Sequence, residues 1–155
     1  MAEGSGAQAK EGRYFTFALG NEEYALEIRQ VREIIGLMEI TPVPQAANYV
    51  KGVINLRGKI IPVIDIRLKF GMPAVDYTRE TCIIVLHIKE ILAGIIVDRV
   101  CEVLDISADN IEPAPAFCNN LNTGLILGMG KIAERVVIIL DIEKILLEDA
   151  TSVLK

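Results

Sequence analysis

Gly52-Val-Ile-Asn55-Leu-Arg57-Gly-Lys-Ile-Ile-Pro62-Val-Ile-Asp65-Ile-Arg-Leu-Lys-Phe70 is the stretch on which the fold class turns. It reads as two short apolar strands, Val50–Leu56 and Lys59–Ile64, joined at an Arg57-Gly58 turn. Asp65 follows as the N-cap of a short helix, Ile66–Phe70, which Gly71 and Pro73 end. A guanidinium is costly to bury without a partner, so Arg57 among apolar strands invites a search for a carboxylate. The alternative is an exposed turn arginine.

Working outward, Tyr14–Leu19 has aromatic and β-branched strand character, Gly20–Glu23 is turn chemistry, and Tyr24–Ile28 returns as a second strand. Ile28, Val31 and Ile34/Ile35 recur at helical spacing, which predicts one or two helical turns stopped by Gly36 and supplies Glu33 as the carboxylate for Arg57. Thr41-Pro-Val-Pro44 is an extended loop or edge, because two prolines remove ladder donors. Beyond a polar boundary at 72–80, Cys82–Ile88 and Ile91–Val97 pattern as a hairpin, whereas Asp98–Leu104 fits helix or strand equally. Asp105–Asn122 is irregular; strands resume at Leu125–Met129 and Val136–Leu140, before a C-terminal helix over 141–149.

The two halves repeat. Tyr24–Ile34 lies against Ala93–Val103, with Val31 matching Val100 and Glu33 matching Glu102. Gly58-Lys-Ile60 with Val63–Ile66 echoes Gly130-Lys-Ile132 with Ile139–Ile142, the second copy having a longer turn at Ala133–Arg135. The halves are expected to differ in function at Arg57, since Leu127-Gly-Met-Gly130 carries no arginine. Each half is too small to bury its apolar face alone, so the pair is expected to share one core with a groove between them.

Composition narrows the function classes. In 155 residues, 52% are hydrophobic and the mean hydropathy is +0.40, which excludes a disordered chain. Sixteen basic against 21 acidic residues give a net charge of −5, without the field that non-specific nucleic-acid binding needs. No apolar run approaches the roughly 18 residues of a membrane span. Residues 1–13 are small and polar, expected to be disordered, and have no apolar signal-peptide core. Cys82, Cys101 and Cys118 have no paired spacing, so reduced thiols in a cytoplasmic setting are expected, with Cys82 and Cys101 in or near the core.

Candidate chemistry is sparse. The single histidine, His87, sits inside a strand, and Ser5, Ser107 and Ser152 lie in no elbow motif. Asp65, Asp98 and Asp141 each follow a strand; for Asp65 and Asp141 a helix cap is the stronger reading than a carboxylate cluster for metal or acid–base work. Gly124–Gly130 matches neither a phosphate loop nor a dinucleotide fingerprint. No catalytic residue, metal site or cofactor is expected.

Asn55-Leu-Arg-Gly58 followed by Ile61-Pro-Val-Ile-Asp-Ile66 resembles the hallmark of the CheW family of chemotaxis coupling proteins. Phe17–Tyr24, Val31–Ile34, Val50–Gly52, Gly94–Asp98 and Asn110–Pro115 fit the same family in order, from about Tyr14 to Leu147. Phe117–Asn122, including Cys118, departs from the pattern.

The resemblance implies a mainly β fold of two five-stranded SH3-like barrel subdomains packed around a shared hydrophobic core, with short helices. The single domain would span 14–150, with the first barrel mainly 14–72 and the second mainly 80–141. It further implies a non-enzymatic cytoplasmic adaptor, without receiver or kinase segments, that links transmembrane chemoreceptors to the histidine kinase CheA through the kinase's CheW-like regulatory domain. By position, Val31, Glu33, Gly52, Arg57 and Val103 are the implied receptor-facing residues. A related pathway controlling pili or development would use the same module. A small-molecule-binding or hydrolytic β-barrel built on His87 with Asp65 or Asp98 is the competing class.

Overall fold

Runs rich in β-branched residues, punctuated by two-residue turns, fold as strands. The computed structural model describes residues 9–113 and 125–146. Strands β1 (Gly12–Leu19) and β2 (Glu22–Glu27) form the first hairpin, and a 3₁₀ turn at Ile28–Gln30 leads into β3 (Val31–Gly36). Strands β4 (Val50–Leu56) and β5 (Lys59–Asp65) follow, with the one-turn helix α1 (Ile66–Lys69). The second half has β6 (Cys82–Ile88), β7 (Ile91–Val97), β8 (Arg99–Ile106), β9 (Ile111–Glu112), β10 (Ile126–Ile132) and β11 (Arg135–Leu140). A further helix is described over 142–146. The fold is mainly β, and no described helix is long and apolar enough to cross a membrane.

The strands divide into two sheets, and the division is not consecutive. One unit takes its strands from the residues up to Ile28 and from Cys101–Ile145, in the order β8-β1-β2-β11-β10-β9; the other is built from Arg29–Val100, in the order β3-β6-β7-β5-β4. The split at 14–72 and 80–141 expected from sequence is therefore corrected. Each sheet combines strands from both repeat copies, because β2 pairs in parallel with β11 (Ala25 opposite Ile139) and β5 pairs in parallel with β7 (Val63 opposite Gly94). The core of the second unit includes Ile54, Ile61, Val63, Ile83, Val85 and Ile96, and that of the first Tyr14, Ala25, Ile106, Val137 and Ile139. Most of β6 and β7 is buried at successive positions, which is why they read as continuous apolar runs.

The repeat is real, but its register differs from the sequence alignment. Strands β4 and β10 share one burial pattern and the same register shift, between Val50 and Gly52 and between Ile126 and Gly128. Both hairpins turn in two residues, with Leu56 opposite Lys59 and Ile132 opposite Arg135, so the longer second turn disappears. Gly52 therefore corresponds to Gly128, Arg57 to Ala133 and Asp65 to Asp141. Gly130 lies inside a strand, where a Cβ would sit 3.0 Å from Val137 Cγ2 and 3.1 Å from Ile106 Cδ1; it is a packing glycine rather than a turn glycine.

Three further expectations change. Val31–Ile35 is strand, not helix: its burial alternates with period two, as a half-buried strand requires. Asp98–Leu104 resolves into β8 for most of its length. The tail expected to be disordered over 1–13 already enters β1 at Gly12, and Ala9 N donates to Leu127 O at 3.4 Å. Phe117–Asn122 with Cys118, and the end of the predicted C-terminal helix, lie outside the described residues.

At the parallel seam, a Cβ on Gly94 would come within 2.8 Å of Ile83 Cγ2. Gly94→Val should cost about 2–3 kcal/mol by overpacking beside a fully buried isoleucine, read as a lowered midpoint in urea unfolding at unchanged slope.

Candidate functional site

Arg57 and Gly58 both have positive φ, 53° and 91°, the twist that a two-residue turn needs to match right-handed strands. Asn55 Oδ1 accepts a hydrogen bond from Gly58 N at 2.8 Å, tying the turn to the strand before it. The Arg57 side chain stands at the hairpin tip and is 71% exposed, so it carries little burial cost. Its Nη2 donates to both carboxylate oxygens of Glu33, at 2.6 Å to Oε1, and this contact raises the guanidinium further above its ordinary range.

Glu33 sits on β3 and Arg57 at the end of β4, the two outer strands of the five-stranded sheet. In a flat sheet four strand spacings would separate them by about 19 Å, farther than the two side chains reach. The sheet is therefore curled, and the ion pair joins its edges on the hairpin side.

Val31 is half-buried on the same edge strand, opposite Leu86. Gly52 is buried in β4. Thr41 crosses it, donating its N–H to Val53 O at 2.8 Å and accepting from Val53 N at 2.9 Å. A Cβ at Gly52 would lie 2.0 Å from Thr41 O, and φ there is +141°. Gly52 is thus a seat for the Thr41-Pro42 crossing rather than an open contact surface. Val103 is 48% exposed on β8, in the other unit.

The first unit has a carboxylate–arginine clasp of its own, which the sequence reading missed. Arg135 Nη2 donates to Glu102 Oε2 at 2.5 Å, and its Nε lies 3.4 Å from Glu23 Oε1. Glu102 is the repeat partner of Glu33, which was the available signal. The arginine was overlooked because it stands just after the turn, at the position matching Lys59.

The aspartates act structurally. Asp65 Oδ1 accepts from Arg67 N at 3.0 Å and Leu68 N at 3.3 Å, capping α1, while its Oδ2 accepts from Tyr77 OH at 2.9 Å. Asp141 Oδ1 accepts from Lys144 N at 3.1 Å in the equivalent place. Asp98 receives Arg67 Nε at 3.1 Å and Nη2 at 3.1 Å, both side chains being largely buried. His87 is exposed beside a cleft of about 390 Å³ whose lining includes neither Asp65 nor Asp98. Among the described residues no group of three His, Cys, Asp or Glu side chains is placed to hold a metal ion. Cys82 is buried, and burial raises its thiol pKa; Cys101 is exposed on β8, contrary to the core or half-core position expected for it.

Comparison with known proteins returns one consistent match. Residues 13–150 fit the family model of the CheW-like domain. The chemotaxis protein CheW of Klebsiella aerogenes is 44% identical over 133 residues, covering 86% of this chain and 80% of that protein. The chemotaxis protein CheW of Helicobacter pylori is 39% identical over 137 residues, covering 88% and 82%. The crystal structure of the scaffolding protein TtCheW from Thermoanaerobacter tengcongensis superposes with a TM-score of 0.81 at 35% identity, over 87% of this chain and 92% of that one.

Gly52→Ala should destabilise the fold by about 3 kcal/mol or more, because Thr41 backbone atoms must move and φ is unfavourable for a side chain; thermal unfolding reads this directly. Burial, then its hydrogen bond to Asp65, raises the Tyr77 phenol above its ordinary value. Its contribution to stability is complete below about pH 10 and declines as pH climbs through the raised folded-state value. Ultraviolet titration should show Tyr77 ionising late, and earlier in Asp65→Asn.

Proposed function

This chain belongs to the family of CheW-like proteins, and on that premise we propose that it is a non-catalytic chemotaxis adaptor coupling transmembrane methyl-accepting chemoreceptors to the histidine kinase CheA. The observation that carries the reading is the Glu33–Arg57 clasp: an exposed arginine at a hairpin tip, held by a half-buried glutamate across a curled sheet. Such a pair suits recognition, because its charges are already oriented before a partner arrives.

Val31, Glu33 and Arg57 form the receptor-facing surface in this reading, and Gly52 contributes indirectly by seating Thr41-Pro42. Val103 supplies an exposed apolar contact from β8. Receptor tips, as helical hairpins, would lay an apolar face against Val31 beside the clasp. The protein would work in the cytoplasm, recruited to the inner face of the membrane through receptor arrays, with the CheW-like regulatory domain of the kinase as its second partner. Modest individual contacts would be strengthened by multivalency. The same arrangement would serve a chemosensory-type pathway controlling pili or development.

The competing hydrolytic reading lacks support, since His87 and the aspartates occupy separate surroundings. The aspartates are engaged as caps and ion pairs.

Arg57→Glu places two carboxylates together and should weaken binding of a soluble receptor-tip fragment by about tenfold or more, while the kinase regulatory domain binds within about twofold of wild type. Titration calorimetry with each purified fragment provides the measurement. Unchanged receptor binding, or failure of the wild-type chain to bind either fragment, would overturn the proposal.

A further inference from the structure

The cleft beside His87 has a composition that neither the clasp nor the helix caps use. Four adjacent strands build it: β3 supplies Arg32, β6 His87, β7 Leu92, and β5 Lys59 and Ile60, with Glu90 from the β6–β7 turn. Ile60 is 54% exposed, among the largest exposures of a bulky apolar side chain in the structure. Arg32, Lys59, His87 and Glu90 are all exposed, and none of their side chains has a hydrogen-bond or ion-pair partner among the described residues.

Charge sets this cleft apart from the rest of the chain. Residues 1–28 and 101–145 together carry twelve acidic against five basic residues, whereas residues 29–100 carry ten basic against seven acidic. The cleft lies wholly in that basic segment. The other exposed pairs satisfy their cations: Arg57 is held by Glu33, Arg135 by Glu102 and Lys131 by Glu112. Here two permanent cations and an imidazole flank an apolar floor with one carboxylate among them.

We propose that this cleft is a docking surface for an acidic, apolar-centred protein segment, in which one aliphatic or aromatic side chain covers Ile60 and Leu92 while flanking carboxylates pair with Arg32 and Lys59. A volume of about 390 Å³ accommodates one or two side chains rather than a folded domain. A small anion would satisfy the cations but leave Ile60 in water; an uncharged apolar segment would cover Ile60 but leave the cations without carboxylates. A segment combining both features satisfies the whole lining. The surface is separate from the clasp, and its test does not depend on the proposed adaptor role.

The probe is a capped peptide, Glu-Glu-Leu-Phe-Glu-Glu, titrated into the full isotope-labelled chain and followed by amide chemical shifts. Saturable shifts should cluster on Arg32, Lys59, Ile60, His87 and Leu92. Replacing the four glutamates by glutamine, or using the protein variant Arg32→Glu/Lys59→Glu, should each weaken binding about tenfold or more, and raising salt should weaken it further. Both substituted residues are exposed, and unperturbed amide shifts of the buried Ile54 in β4 and Ile95 in β7, in the same sheet, verify the fold of the variant. Absence of saturable shifts, shifts centred elsewhere, or equal binding of the glutamine peptide would overturn the proposal. So would glutarate binding as tightly as the peptide, which would mark a small-anion site.

Discussion

Two short parallel ladders hold the architecture together: β2 against β11, and β5 against β7. Each joins a strand of one repeat copy to a strand of the other, and each occupies the equivalent place in its sheet. Removing either would leave a hairpin from one copy beside strands from the other, with no main-chain ladder between them. Parallel pairs need long connections: between β2 and β11 the chain runs through the second unit before returning to the first, and between β5 and β7 it passes through α1 and β6 within the second unit. Gly94 on one seam is the local cost of this arrangement, since β6 approaches too closely for a side chain.

Duplication also explains details that look unrelated along the chain. Gly52 and Gly128 correspond, and each leaves room for a crossing main-chain oxygen: Thr41 O over the first and Glu112 O over the second. The isolated bridge from Thr41 to Val53 is thus the counterpart of the two-residue strand β9 on β10. Asp65 and Asp141 cap equivalent helices. Arg57 and Ala133 adopt nearly the same positive φ, 53° and 54°, at the first turn position. Asn55 stabilises this conformation in the first copy, while the second has Lys131 there.

Against that shared frame, the clasps diverge. Both units tie the strand after the 3₁₀ turn or its equivalent to a hairpin through a glutamate, but Glu33 takes an arginine from the turn and Glu102 takes one just beyond it. A two-residue shift along a strand-and-turn moves the guanidinium from the tip to the flank of the hairpin. The first arrangement projects charge outward and the second spans β2, β8 and β11. The two modules therefore share a backbone while presenting different surfaces.

Local patterning was enough to place most of the strands. The apolar runs Val50–Leu56, Cys82–Ile88 and Ile91–Val97 match β4, β6 and β7, and Asp65 announced the start of α1, because turns, caps and continuous burial leave local marks. The Asn-Leu-Arg-Gly turn and its neighbours carried the family resemblance, and Glu33 with Arg57 carried the clasp. Sequence could not fix which strands share a sheet, since main-chain ladders between distant segments leave no side-chain signature. It misread Val31–Ile35 as helix because Val31 and Ile35, four residues apart, satisfy both periods, and pairing with β6 chose the strand. Nor could it reveal Glu102–Arg135 or the cleft of Arg32, Lys59 and His87, whose members become neighbours only when strands from both repeat copies lie side by side. Residue chemistry within a few positions determined the elements and the family; long-range pairing, through the curl of each sheet, decided which side chains meet.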